Sequence, residues 1–234
     1  MGKIATMDHF RMADWLVLPT TVGAAPLIVT EAGTTGATHA AAANGNYDLA
    51  LDNTAEVQNL SLTMGDILRY DIDNLIRVEF LAGITSADMA NVTAVLGVGS
   101  ARNDDPDALA ANAYFKLAAS LAVVVESDDG TNDNDDKATG ETLVTAVMRR
   151  FAIDFSRDVQ TVSPPGTPKK GKGNVHFYMD DANGFLKRVG SSVLFDMSNY
   201  SAGLQIVAQL QKTSATNLAT LHVRDIKVEH KLIA

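Results

Sequence analysis

Cysteine is absent from the 234 residues, so disulfides, thiolate metal sites and cysteine nucleophiles are excluded. Aromatic residues are scarce at 6%, with a single tryptophan, Trp15, which argues against a pocket built from large rings. Basic residues are outnumbered, 19 against 28 acidic, giving a net charge of −9. Diffuse nucleic-acid binding runs on a basic excess, so that partner is disfavoured. No apolar run reaches the roughly 18 residues of a membrane span. The stretch from Met1 to Thr6 lacks the apolar core of a signal peptide. The sequence therefore predicts a product made and kept in the cytoplasm unless lysis or a similar event carries it out.

Catalytic signatures are missing as well. There is no G-x-S-x-G, P-loop or dinucleotide fingerprint, and the stretch from Gly97 to Arg102 ends a strand-like run instead of opening a helix. His9, His39, His176, His222 and His230 show no metal-binding spacing. A pair of catalytic carboxylates must face each other across a cleft. Asp71 and Asp73 would share a face if extended, and Asp180 joins its neighbour only in a turn, with no aromatic platform beside either. An enzyme is not expected.

What is present is a hydrophobic fraction of 46%, largely Ala and Val, which suits thin, closely spaced sheets. From residue 27 onward, clusters of Gly, Asn and Asp separate short runs rich in Val, Ile, Leu, Phe and Tyr. Several runs alternate. Val78 and Phe80 share one face against Arg77 and Glu79; Val175, Phe177 and Met179 oppose His176 and Tyr178. Leu204, Ile206, Ala208 and Leu210 oppose Gln205, Gln209 and Gln211. Near the end, Leu221 and Val223 face inward until the phase slips at Asp225, after which Ile226, Val228 and His230 share a face. Period-two alternation means one packed face and one wet face, the mark of antiparallel sheets. Asn183-Gly184 predicts a tight hairpin turn. Helix signals are few: one turn at most over Asp107–Asn112.

The expectation is an all-β, two-sheet antiparallel sandwich over residues 27–234, preceded by an extended N-terminal arm over residues 1–26. Asp8 is placed to cap a short helix over residues 9–16. Phe10, Trp15 and Leu16 belong to the arm's apolar patch, suited to docking on a neighbouring subunit or to forming an ordinary amino-terminal strand or lid over the sandwich. Some 20 extended residues would reach about 65 Å. The segment from Ser163 to Gly173 reads as a stiff exposed loop, and its Lys169, Lys170 and Lys172 are candidates to meet an acidic surface on another copy.

That acidic surface is the stretch holding Glu126, Asp128, Asp129, Asp133, Asp135 and Asp136. Hard cations want many oxygens, which makes Asp128, Asp129, Asp133 and Asp135 calcium candidates. The EF-hand pattern fails, because Lys137 replaces the glycine and Leu143 the bidentate glutamate. A solvated hairpin loop is the favoured reading and no cofactor is expected.

From Gly45 to Leu232 the order of segments resembles the concanavalin-like (laminin-G-like) jelly-roll modules of tailed-phage structural proteins. The resembling pieces are Asn46 to Leu51, Met64 to Leu68, Asp71 to Phe80, Val95 to Gly99, Val175 to Asp181 and Leu221 to Val228. The resemblance implies a closing segment that returns beside the first strand. It also implies a virion role on the capsid surface: a decoration (cement) protein, often trimeric, that binds the major capsid protein. Lectin and glucanase relatives of that fold use acidic cation sites or a Glu-x-Asp-x-(x)-Glu strand. This sequence lacks that strand, so neither activity carries over. The alternative is a carbohydrate-binding module on a phage tail or capsid, with calcium-dependent glycan binding around Asp128–Asp136.

Overall fold

The computed structural model describes residues 11–16, 18, 27–33, 36–66, 70–86, 88–155, 173–181 and 183–231. Sixteen strands follow in chain order: β1 Arg11–Trp15, β2 Ile28–Ala32, β3 Thr38–Ala41, β4 Tyr47–Ala50, β5 Glu56–Thr63, β6 Tyr70–Asp71, β7 Leu75–Ser86 and β8 Val92–Gly99. After one 3-10 turn at Pro106–Ala108 come β9 Asn112–Ala118, β10 Ala122–Asp128, β11 Asp133–Thr142 and β12 Arg149–Asp154. β13 His176–Asp180, β14 Leu186–Val189, β15 Gly203–Ala215 and β16 Ala219–Lys231 complete the chain.

These strands form two antiparallel sheets. The first runs β14-β13-β12-β7-β16-β4-β3, with β1 also on β16; the second runs β11-β10-β9-β8-β15-β5-β2, with β6 also on β15. The all-β two-sheet sandwich is thus observed, and its alternations fall as the sequence predicts. Val78, Phe80, Phe177, Met179, Ile206 and Leu210 are all buried in the layer between the sheets. Four phenylalanines bridge that layer edge to face: Phe115 of β9 meets Phe151 and Phe177 at 5.1 and 5.3 Å, and Phe177 meets Phe195 at 4.9 Å. The phase slip appears as a register shift between Val223 and Asp225 on β16. The β13–β14 turn places Gly184 at φ +82°, the left-handed region where glycine costs least.

In the N-terminal region the strand is observed and the short helix is not. Residues 11–15 are a strand, not part of a helix over 9–16, and they pair with the chain's own β16 from Arg11↔Lys231 to Trp15↔Lys227. The physical reason lies in β16. Its far edge is covered by β4 only from Thr220 to Val223, and the remaining backbone groups need partners. A capped helix of about two turns has too few internal hydrogen bonds to compete. Over these five residues the chain completes its own sheet, and the closing strand does return beside the first. Phe10, Lys169, Lys170, Lys172 and the Ser163–Gly173 loop lie outside the described residues, apart from Gly173 itself.

Candidate functional site

The second sheet turns its outward-facing side chains toward the segment that joins β8 to β9. Residues 100–111 leave and return through a neck closed by Ser100 N–H donating to Ala111 O at 2.9 Å. Between those points the segment lies across the sheet as a strap. Asn59 Nδ2 of β5 and Gln209 Nε2 of β15 both donate to Asp104 O, at 2.9 and 3.3 Å. Leu109 is buried, and a Cβ built on Gly99 would come within 2.8 Å of its side chain. Gly97, paired with Tyr114, is equally constrained: a Cβ there would lie 2.4 Å from Tyr114 Cβ. The two glycines of the Gly97–Arg102 stretch therefore serve close packing under the strap.

Beneath the strap sits a buried polar cluster. Cross-strand register sets Lys116 beside Val124 and Tyr114 beside Glu126. Lys116 Nζ lies 2.9 Å from Asp107 Oδ2, 3.0 Å from Asp136 Oδ1 and 3.3 Å from Glu126 Oε2. One ammonium therefore serves three carboxylates. Tyr114 Oη lies 2.6 Å from Glu126 Oε1 and 3.1 Å from Asp107 Oδ1. Burial pushes the Glu126 carboxyl up to about 7; the charge of Asp107 adds to this, while hydrogen bonds from Tyr114 and Lys116 pull the other way. A neutral Glu126 can donate to Tyr114 Oη and leave the phenol hydrogen for Asp107. Burial and then the Glu126 charge push the Tyr114 phenol upward too. For Lys116 burial alone would lower the ammonium, but the bonds to Asp107 and Asp136 outweigh it and hold it above its usual value.

The acidic stretch is not one solvated loop. Glu126 and Asp128 lie in β10, Glu126 with 1% of its surface exposed; only residues 129–132 form the turn, and Asp133, Asp135 and Asp136 lie in β11. Alternation along β10 carries Glu126 to the strap side, which an unbroken run of acidic letters conceals. Asp128 accepts from Gly130 N at 2.7 Å. Asp129 is buried, accepting from Thr131 N and Asn132 N on one oxygen and from Asn132 Nδ2, Asn199 N and Asn199 Nδ2 on the other. Burial works against its charge, yet these N–H donors hold the carboxyl below the usual carboxylate range. A cation at Asp129 would face N–H hydrogens, so this residue is a structural clasp. A hydrogen bond with Asp133, two residues away on β11, pushes the Asp135 carboxyl up. Among the described residues no cluster of three or more Asp, Glu or His is arranged to hold a metal ion.

Beside the strap, where β5, β8 and β15 end, a groove of about 450 Å³ is lined by Asn59, Asn91, Thr93, Asp104, Asp105 and Gln211 among others. Ala32, Gly33 and Val57 share the lining, and the groove's exposed surface is mainly apolar with amide and carboxylate groups set into it. Sequence reasoning missed both this groove and the buried cluster. The cluster's signal was the alternation of Tyr114 and Lys116, with Glu126 placed opposite by the β9–β10 hairpin. Of the arm residues, Trp15 is 65% exposed, while Leu16 is partly buried and packs against the core.

No protein-family model matches the chain, and no curated protein matches it. Solved structures do. A protein of unknown function from Shewanella oneidensis MR-1 superposes with a TM-score of 0.57 at 10% identity, covering 95% of this chain and 87% of that one. The Bacillus licheniformis beta-glucanase gives 0.55 at 10% identity, covering 94% and 98%. Peanut lectin, solved with a 9mer peptide, gives 0.57 at 8% identity, covering 96% and 99%. At these identities the likeness establishes the fold, a concanavalin-like jelly-roll of the lectin and glucanase type, and fold does not fix function.

Proposed function

We propose that this concanavalin-like sandwich is a non-enzymatic binding protein that works through its outer surfaces, as a structural component decorating the head of a phage. One observation carries the reading: the outward side of the second sheet is filled by the chain's own strap. Glu126, the acid whose proton affinity is best placed for catalysis near neutral pH, is buried between Tyr114 and Lys116, where a substrate cannot reach it. Apart from the groove beside the strap, a sandwich closed in this way offers edges and surface patches. Its partners are then the major capsid protein and further copies of itself, a trimer being the expected assembly. Many weak contacts repeated by symmetry would supply avidity. The test is to mix the purified chain with assembled heads that lack it and to sediment them. Co-sedimentation that is lost when residues 1–25 are removed supports the reading. A chain that stays in the supernatant overturns it.

A second reading, a carbohydrate-binding module, has its own support in the groove beside the strap and in the printed names of the lectin and glucanase neighbours. On this reading the ligand site moves from Asp128–Asp136, whose carboxylates hold the hairpin, to Asn59, Asp104 and Gln211. A glycan array with and without chelator separates the two readings. Glycan binding that survives the chelator and is lost in Gln211→Ala favours the module.

A further inference from the structure

We infer that copies of this chain join in series, with residues 163–172 of one copy entering the groove beside the strap of the next. The inference rests on the reading of the chain as a structural protein that binds copies of itself, and deepens it by naming the two surfaces that meet.

The groove fits a protein segment. Its exposed surface is mainly apolar, and Val57 on its wall is 62% exposed. Apolar surface continues from it over the end of the sandwich. Asn91 Nδ2 of the groove donates to Asn217 Oδ1 at 3.4 Å, Ser86 Oγ to Leu218 O at 3.0 Å and Ser86 N to Thr145 Oγ1 at 3.3 Å. These contacts gather Leu218, Val144 and Val147, all exposed, at that end. Charge narrows the choice. Lys212, the basic residue of the lining, turns its ammonium inside the fold to Asp52 O and Thr54 O. Asp104 pairs with Arg102, which leaves the Asp105 carboxylate with no cation among the described residues. An apolar groove with an unmatched acid fits a segment that is apolar and basic together. Residues 163–172 combine both, holding three of the six prolines and Lys169, Lys170 and Lys172.

The chain's own lysines cannot reach its groove. Their segment is anchored at the opposite end of the sandwich, between Asp154 of β12, which faces Arg77, and Gly173 just before β13. Ser86, at the groove's end of β7, stands nine residues from Arg77, about 30 Å along the strand. Lys169 is four residues from Gly173, a reach of about 13 Å. The donor is therefore a second copy. Segment and groove are different surfaces of one molecule, so the contact is heterologous and closes into a ring, a trimer among them, or runs on as a filament.

Sedimentation velocity of the intact chain over a concentration series tests this with no heads present, so loss of head decoration and loss of this contact are read separately. The native chain is expected to associate. Val57→Arg, which sets a cation in the groove, weakens association about tenfold or more. So does Asp105→Asn, which keeps the cap on Asp107 N and removes the charge. The triple variant Lys169→Gln, Lys170→Gln, Lys172→Gln weakens it as much. Mixing is decisive. Val57→Arg keeps a native segment and the triple variant a native groove, so the two, monomeric alone, form a dimer of one each and nothing larger. Melting temperatures establish that the variants fold, and Asp105→Asn takes the place of Val57→Arg in the mixture if that chain does not. A native chain that stays monomeric overturns the inference. So does association unchanged in either partner of the mixture, or a mixture that stays monomeric.

Discussion

Replacing Glu126 with Gln isolates the cost of a buried charge. The carboxyl is pushed from an ordinary value of 4.5 to about 7 in the folded chain. The folded state therefore holds this proton more tightly than the unfolded state does. Stability from this group is fully present below the ordinary value and is lost as pH rises through the folded one. Two and a half pH units between the two values correspond to about 3 kcal/mol, and with the side chain almost wholly buried no discount for solvent screening applies. Glutamine keeps an acceptor for Lys116 and an amide donor for Tyr114 but cannot ionise. The stability difference between Glu126→Gln and the native chain should therefore shift by about 3 kcal/mol in the variant's favour between about pH 4.5 and pH 8. For a domain of this size that is roughly 6–10 °C in melting temperature. Calorimetry of both proteins across that range reads it directly, and titrating groups outside the Tyr114–Lys116–Asp107 cluster cancel in the difference. A difference that stays constant across the range would refute the assignment of Glu126 as an acid kept neutral by burial.

Other perturbations test the packing around it. Lys116→Met removes the ammonium shared by buried Glu126 and the half-exposed Asp107 and Asp136, and should cost about 1–3 kcal/mol and steepen the loss of stability toward alkaline pH in thermal melts. Gly97→Ala sets a methyl against Ala113 O at 2.2 Å and Tyr114 Cβ at 2.4 Å, and should cost about 1–3 kcal/mol by urea unfolding. Asp129→Ala strands the donors of Asn132 and Asn199, and should cost about 2–3 kcal/mol, whereas added calcium should leave the native melting temperature unchanged. Trp15→Ala removes a mostly exposed ring, and its melting temperature should match the native one within about 0.5 kcal/mol of stability.

The sandwich was legible because its strands obey period two over long stretches. β13 alternates throughout, β7 does so from Arg77 to Phe80 and β15 less cleanly because of Val207, and the slip at Asp225 was visible as a change of phase. The site was less legible because its chemistry arises between strands. Tyr114, Lys116 and Glu126 are ordinary letters in two adjacent runs until the β9–β10 register sets them side by side. Asp107 joins them only because the strap folds back across the sheet. The acidic run misled because counting charges ignores which face each residue takes. An amino-terminal strand and a short helix over residues 9–16 both stayed open from the sequence, because the pairing of β1 answers a vacancy on β16, more than 200 residues away, that no local pattern near Trp15 reports.

β15 and β16 are joined by residues 216–218, yet each sits near the middle of a different sheet. As the ribosome extends the chain, β7 has no neighbour on its β16 side, and β5 and β8 are held apart, until residues 203–231 emerge. Neither layer can close before then. Until residues 203–231 have been made, the nascent chain must carry much of its apolar surface and several open strand edges, a state prone to aggregate. Deletions that shave the far end of this chain should thus be felt as failure to fold at all, while early strands such as β2 remain expendable.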